Sequence, residues 1–186
     1  MCPFYTRKGD EGYTGLLGRG RFSKDDLRLE ELGAIDEANA AFGLARCWVR
    51  SKTSASLILK IQRDLYNLMA ETAAGTENTP KFHVIGADHV AWLEQQIADL
   101  EKIVRIPEEF ILPGDSTAGA TLDLARTIVR RAERHMAGLV RRGDVQNMEL
   151  LRYLNRLSSL CFILELFENQ SAGQKDSTLA KENPGP

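Results

Sequence analysis

STAGATLDLARTIVRRAERHMAGLVRRG, residues 116–143, decides the fold. Leu122, Ala125, Val129, Ala132, Met136 and Leu139 recur at intervals of three and four, the spacing of one face of an α-helix. That row reads as core and nothing more. Asp115 or Ser116 can cap the start of the helix, and Gly143 can stop it. Beside the apolar row run Arg126, Arg130 and Glu133, which share a second face of the same helix. A charged row of this kind is ordinarily a solvated face carrying ion pairs. Two planar, permanently charged guanidiniums one turn apart also make a ready clamp for phosphate.

The same periodicity extends in both directions. It predicts helices near 27–50 (Leu32, Ile35, Asn39, Phe42), near 54–75 (Leu57, Ile61, Leu65, Leu68, Met69) and near 86–103 (Val90, Leu93, Ile97, Leu100). A last helix near 146–169 carries Leu150, Leu154, Leu157, Cys161 and Leu164, with Asn155, Ser158 and Phe162 in the neighbouring row. Gly75 and the ENTP stretch after it end the second helix, and Pro107 with LPGDS (112–116) breaks the chain before the long one. No period-two run suggests a strand, and no internal repeat is present. Four or five long amphipathic helices with short connections imply an all-α bundle over residues 27–169.

Residues 1–26 are different. Gly9, Gly12, Gly15, Gly18 and Gly20 are interleaved with Arg7, Lys8, Arg19, Arg21 and Lys24. Glycine at this density marks turns, and such a basic loop can offer backbone N–H groups to an anion. It contains no GxxxxGK[ST] phosphate loop. Residues 170–186 read as a disordered tail. A net charge of −2 and a pI near 6.0 argue against a dominant nucleic-acid or anionic-membrane surface. No segment has the length of a membrane span, and the N-terminus lacks the apolar core of a signal peptide. Three cysteines, none in a CxxC pair, point away from a disulfide framework and toward a reducing, cytoplasmic setting. His83, His89 and His135 have no helical partner at ligand spacing, and no Glu-x-x-His occurs, so no protein metal site is expected. Cys161, Trp48 and Trp92 read as packing residues. Asp36, beside the first apolar row, is either a surface carboxylate or the partner of a cation, for which Arg126 is the natural candidate.

Four blocks carry a resemblance. FYTRKGDEGYTGLLGRGRFSKDD (4–26), LGAIDEANAAFGLA (32–45), FILPGDSTAGATLDLARTIVRRAER (110–134) and YLNRLSS (153–159) are similar, in order and spacing, to the motifs of PduO-type ATP:cob(I)alamin adenosyltransferases. The resemblance implies a five-helix bundle assembling as a homotrimer, with ATP at the subunit interface. It implies ATP contacts from Thr6, Arg7, Gly9, Asp10, Gly12 and Lys24 of one subunit and from Arg130, Glu133 and Asn155 of the other, with Lys81 as a further contact. Arg126 would pair with Asp36. Phe110, Ser158 and Phe162 would face the corrinoid, and Asp36, Arg126, Phe110 and Asn155 would form the catalytic set. It implies Mg²⁺ with the nucleotide, transfer of the 5′-deoxyadenosyl group to Co(I) of cobalamin or a cobyrinate precursor, and release of triphosphate. A flavin-dependent reductase and a cobalamin-dependent acceptor enzyme are the expected partners. The alternative is a carrier or sensor that binds ATP and cobalamin with weak turnover. This chain departs from the family pattern at Asp115 (commonly glycine), Asp123 (commonly histidine) and Ser159 (usually aspartate), at Lys8 and Arg19, and in a tail without an aromatic, arginine-rich ending.

Overall fold

The computed structural model describes residues 4–74, 79–174 and 176–181. Five long helices are present: α1 (Leu27–Trp48), α2 (Lys52–Ala73), α4 (Ala87–Glu101), α5 (Thr117–Arg142) and α6 (Met148–Ser171). A single turn, α3 (Thr79–Phe82), lies in the connection between α2 and α4. The helix boundaries follow from caps. Asp26 accepts from the N–H of Arg28, Ser51 from those of Thr53 and Ser54, Ser116 from that of Gly119, and Asn147 from that of Glu149. Gly143 ends α5 at φ 77°, a left-handed position that lets its N–H and that of Asp144 satisfy the last carbonyls. The second helix starts at Lys52 rather than 54 because Ser51 caps it. Gly75 and the first residues of ENTP lie outside the described residues.

α5 is the centre of the bundle, packed against α1 on one side and α6 on the other. α2 lies on α1, and α4 lies on α6. The six apolar residues read from the sequence of α5 are all fully buried, as are the five of α6. Gly119 is a required glycine: a Cβ there would lie 2.2 Å from Asn169 Oδ1. That close approach, with the Ser116 hydroxyl donating to Asn169 Oδ1 at 2.6 Å, locks the start of α5 against the end of α6.

Two expectations meet a different structure. The glycine-rich segment holds a short antiparallel ribbon, β1 (Tyr13–Thr14) with β2 (Phe22–Ser23), where no strand was expected. Two-residue strands are too short for any periodicity to show. The expected disordered tail begins inside α6, which runs to Ser171, and residues 178–180 pair with 110–112. Residue 175 and residues 182–186 are outside the described residues.

Glu31 of α1 is fully buried, and neither carboxylate oxygen has a hydrogen-bond partner. Burial pushes its carboxyl up to about 9. The folded state keeps this proton while the unfolded state releases it above the ordinary glutamate range. Stability therefore falls as pH rises from about 4.5 toward about 9. Glu31→Gln removes that slope: its melting temperature, measured against wild type from pH 5 to pH 8.5, should show a growing advantage with pH.

Candidate active site

A cleft of about 600 Å³ lies between α5, α6 and the irregular segment that precedes α5. Phe110, Ser158 and Phe162 line it together with Asp123, Arg126, Arg130 and Glu165. The helical repeat explains the gathering. With the apolar face of α5 committed to the core, Asp123, Arg126 and Arg130 fall on its flank, and Ser158, Phe162 and Glu165 occupy the matching flank of α6. Phe110 is 89% exposed, a large apolar surface with nothing covering its ring.

The charges in the cleft are unevenly paired. Arg126 Nε donates to Asp123 Oδ1 at 2.6 Å, one turn back on the same helix. Within the chain, then, Arg126 meets Asp123 and not Asp36. Asp36 is exposed on α1, and no hydrogen bond or ion pair of its side chain occurs among the described residues. Arg130 is exposed, and its guanidinium makes no bond within the described chain; its carbonyl accepts from Arg134 at 2.9 Å. Glu165 was not singled out in the sequence, although a carboxylate inside the apolar run LCFILELF (160–167) is itself a signal. It is 1% exposed, and both oxygens lack partners. Burial pushes its carboxyl up to about 7, with Asp123 adding to the rise and Arg126 opposing it. Burial raises the Cys161 thiol also, which makes it an inert core residue.

Next to the cleft, Asn155 Nδ2 donates to Glu133 Oε1 at 2.7 Å, bridging α6 to α5. Arg156 continues the chain of contacts, donating to Asn155 Oδ1 at 2.6 Å and to Glu94 Oε1 of α4 at 2.8 Å. Arg130, Glu133 and Asn155 thus form one polar edge beside the apolar cleft.

The basic loop lies elsewhere. Its residues are gathered by turns: the Asp10 N–H donates to the Arg7 carbonyl at 3.3 Å, that of Gly12 to Gly9 at 3.2 Å, and that of Lys24 to Gly12 at 2.9 Å. The Lys8 N–H reaches the Thr6 hydroxyl at 3.4 Å. Arg7 (φ 59°) and Gly12 (φ 81°) hold left-handed conformations, which turn the chain sharply at both places. Lys24 lies over Gly9, where a Cβ would come within 3.0 Å of the ammonium. The loop is anchored to the C-terminal end of α2 by the Leu17 N–H, which donates to the Ala73 carbonyl at 3.0 Å. Arg28 supports that end, donating to the carbonyls of Ala74 (3.2 Å) and Asp144 (2.8 Å). No described hydrogen bond joins Thr6, Arg7, Gly9, Asp10, Gly12 or Lys24 to Arg130, Glu133 or Asn155. Lys81 sits in α3 and is exposed. No group of three histidine, cysteine, aspartate or glutamate side chains suited to a metal ion occurs among the described residues.

Comparison with known proteins gives the family and the fold. The family model described as cobalamin adenosyltransferase matches residues 4–168. The chain is 37% identical over 171 residues to the corrinoid adenosyltransferase PduO of Salmonella typhimurium, covering 91% of this chain. It spans about half the length of that relative (51%) and of the Citrobacter freundii PduO (51%). It is also 37% identical to the corrinoid adenosyltransferase of Bacillus subtilis, covering 92% of this chain and 89% of that one. A solved variant of the PduO-type ATP:corrinoid adenosyltransferase from Lactobacillus reuteri, complexed with cobalamin and ATP, superposes with a TM-score of 0.88 at 29% identity, covering 97% of this chain and all (100%) of that one. Another variant of that protein, complexed with ATP, gives 0.86 at 29% identity, covering 96% and 100%.

The cleft makes its own prediction. Asp123→Asn removes a like charge near Glu165, so the Glu165 carboxyl should titrate lower than in wild type. Carboxyl-carbon NMR titration of the two proteins measures this, and an unmoved Glu165 resonance would show that Asp123 is not its electrostatic neighbour.

Proposed function

The chain belongs to the cobalamin adenosyltransferase family, whose model spans residues 4–168, and on that premise we propose that it transfers the 5′-deoxyadenosyl group of ATP to Co(I) of a corrinoid, releasing triphosphate. One observation carries the reading: a single cleft gathers Phe110, Ser158 and Phe162 beside the guanidiniums of Arg126 and Arg130. An apolar surface for a flat macrocycle thus adjoins charge suited to phosphate.

The reaction is a displacement at C5′. The electron pair of Co(I) forms the Co–C bond as the C5′–O bond breaks, and the pair of that C5′–O bond leaves on the triphosphate oxygen. No general base is required. The protein must align C5′ with cobalt and stabilise charge accumulating on the leaving group. Arg130, whose guanidinium has no partner among the described residues, is the residue for the second task, and Glu133 with Asn155 would hold the nucleotide's sugar or base. Thr6, Arg7, Gly9, Asp10, Gly12 and Lys24 would cradle the phosphates, Lys24 and the loop amides adding positive charge. Mg²⁺ would enter as Mg·ATP. Because such an ion is held largely by phosphate oxygens and one or two carboxylates, Asp10 suffices on the protein side.

A homotrimer is the assembly that the family resemblance implies, and the position of the loop supports it. The loop is anchored at the end of α2 and makes no described bond to the Arg130 edge. In that assembly a nucleotide touching both would be held between two subunits. Asp36, exposed and with no side-chain partner among the described residues, would reach Arg126 across that contact, in competition with Asp123. Phe110 would wedge beneath the corrin, displace the lower axial ligand and ease reduction of Co(II), electrons coming from a flavin-dependent reductase. No described helix is long and apolar enough to cross a membrane. We place the protein in the cytoplasm, where the free thiols of Cys47 and Cys161 would stay reduced. A cobalamin-dependent enzyme is the expected acceptor of the product.

The test is anaerobic incubation of the full chain with chemically reduced cob(I)alamin and Mg·ATP, following loss of the Co(I) absorbance and release of triphosphate. Stoichiometric adenosylcobalamin is the expected result. Saturable binding of both ligands without turnover would make the protein a carrier instead. Arg130→Ala should lower kcat/KM for ATP at least about tenfold, since a charge-assisted hydrogen bond is worth roughly 1.5–3 kcal/mol; an unchanged value would refute the triphosphate role. Phe110→Ala should leave ATP binding intact while removing the four-coordinate Co(II) signal from the electron spin resonance spectrum.

A further inference from the structure

Phe110 is the most exposed residue of the proposed corrinoid site, and it stands on a segment that cannot hold itself. Pro107 and Pro113 keep the stretch between α4 and α5 out of helical conformation. What holds the backbone of Phe110 is chain from beyond α6. The Phe110 carbonyl accepts from the Ala180 N–H at 2.8 Å, and the Leu112 N–H donates to the Thr178 carbonyl at 2.8 Å. Ile111 and Leu179 pair antiparallel between them.

One side chain fastens this ribbon. Asp115 Oδ2 accepts from the Thr178 N–H at 3.0 Å, and Oδ1 accepts from the Thr178 hydroxyl at 2.6 Å. The Asp115 carbonyl accepts from Gln174 Nε2 at 3.1 Å. The other end of the segment is held more weakly. Arg105 pairs with Asp176 at 2.8 Å, but both side chains are more than three-quarters exposed, and such pairs contribute little. Gln170 adds neutral bonds to the Arg105 backbone at 3.4 and 3.2 Å. The two bonds accepted by the Asp115 carboxylate are thus charge-assisted ties beside the backbone pairs that hold Phe110.

We propose that Asp115 is a positioning residue for the corrinoid: it fastens residues 176–181 across the Phe110 segment and so holds Phe110 ready at the mouth of the cleft. The inference rests on the corrinoid reading of that cleft. Asp115 touches no reacting atom. It acts by ordering, in advance, a segment that otherwise loses its freedom only when the substrate arrives, which weakens binding. The carboxylate at a position where the resembled family commonly has glycine thus has a structural task in this chain.

The experiment compares wild type, Asp115→Ala and Asp115→Asn as full chains. Backbone amide exchange is read without ligand, and cob(II)alamin affinity is read with ATP present. Asp115→Ala removes both carboxylate bonds, and it should speed exchange at the Leu112 and Ala180 amides and weaken cob(II)alamin binding about tenfold. ATP affinity and melting temperature should stay near wild type. Asparagine can accept from the Thr178 N–H and donate to its hydroxyl, so Asp115→Asn should restore most of the affinity. A general structural role would instead lower the melting temperature and weaken ATP and corrinoid alike. Unchanged exchange at both amides in Asp115→Ala, or faster exchange with unchanged corrinoid affinity, overturns the proposal. If wild type binds no cob(II)alamin, the corrinoid reading itself falls, and the positioning role falls with it.

Discussion

Burying the apolar face of α5 fixes where its charged residues can point. Leu122, Ala125, Val129, Ala132, Met136 and Leu139 are fully enclosed, and α1 and α6 pack on either side of them. The helical repeat then leaves Asp123, Arg126 and Arg130 one narrow strip of surface, along the seam with α6. Shifting the register of α5 by one residue would rotate the guanidiniums by about 100° and carry them out of the cleft. The lock between Gly119 and Asn169 prevents that slide, because only a residue without a Cβ allows the approach. Packing and chemistry thus share one constraint, in which the core sets the register and the register places the charges.

The second constraint is the need of irregular backbone for hydrogen-bond partners. A segment carrying an exposed phenylalanine between two prolines has no helical ladder of its own. Residues 178–180 supply the missing partners, and the glycine-rich loop meets the same need with its short ribbon and its bond to Ala73. In both places the ordered element is short and depends on the bundle beneath it. Those are the parts of the molecule with least independent stability, and they carry the residues proposed to meet substrate.

What could be read from the sequence divides along the same line. The core rows of α5 and α6, the Ser116 cap and the Gly143 stop were legible because each depends on residues within a few positions of one another. The gathering of Phe110, Ser158 and Phe162 came from resemblance rather than periodicity, since their segments are separated by a whole helix. The pairing of Asp115 with Thr178 spans 63 residues and had no local signal. Asp123 as the partner of Arg126 was available from spacing, as a pair three apart on one helix, but the resemblance directed attention to Asp36. Glu165 did carry a local signal, a lone carboxylate inside an apolar run, but nothing in the sequence says that it faces the cleft beside Asp123 and Arg126.

The charge balance of the cleft is where this chain's own residues bear most directly on the proposed chemistry. Arg126 is engaged by Asp123 at 2.6 Å, which leaves Arg130 as the cation without a partner in the described chain. A buried, unpartnered Glu165 with a carboxyl near 7 adds little negative charge while it keeps its proton. If it ionised, it would oppose the positive potential needed for triphosphate, in a cleft where low dielectric strengthens every such term. Burial pushes this carboxyl toward its protonated form, Asp123 adds to the rise and Arg126 opposes it. A protonated Glu165 would let the site place a carboxyl beside Arg130 without cancelling its charge, and that depends on the apolar walls of α6 that bury it. The same burial that stabilises the bundle would preserve the positive edge on which departure of the triphosphate is proposed to depend.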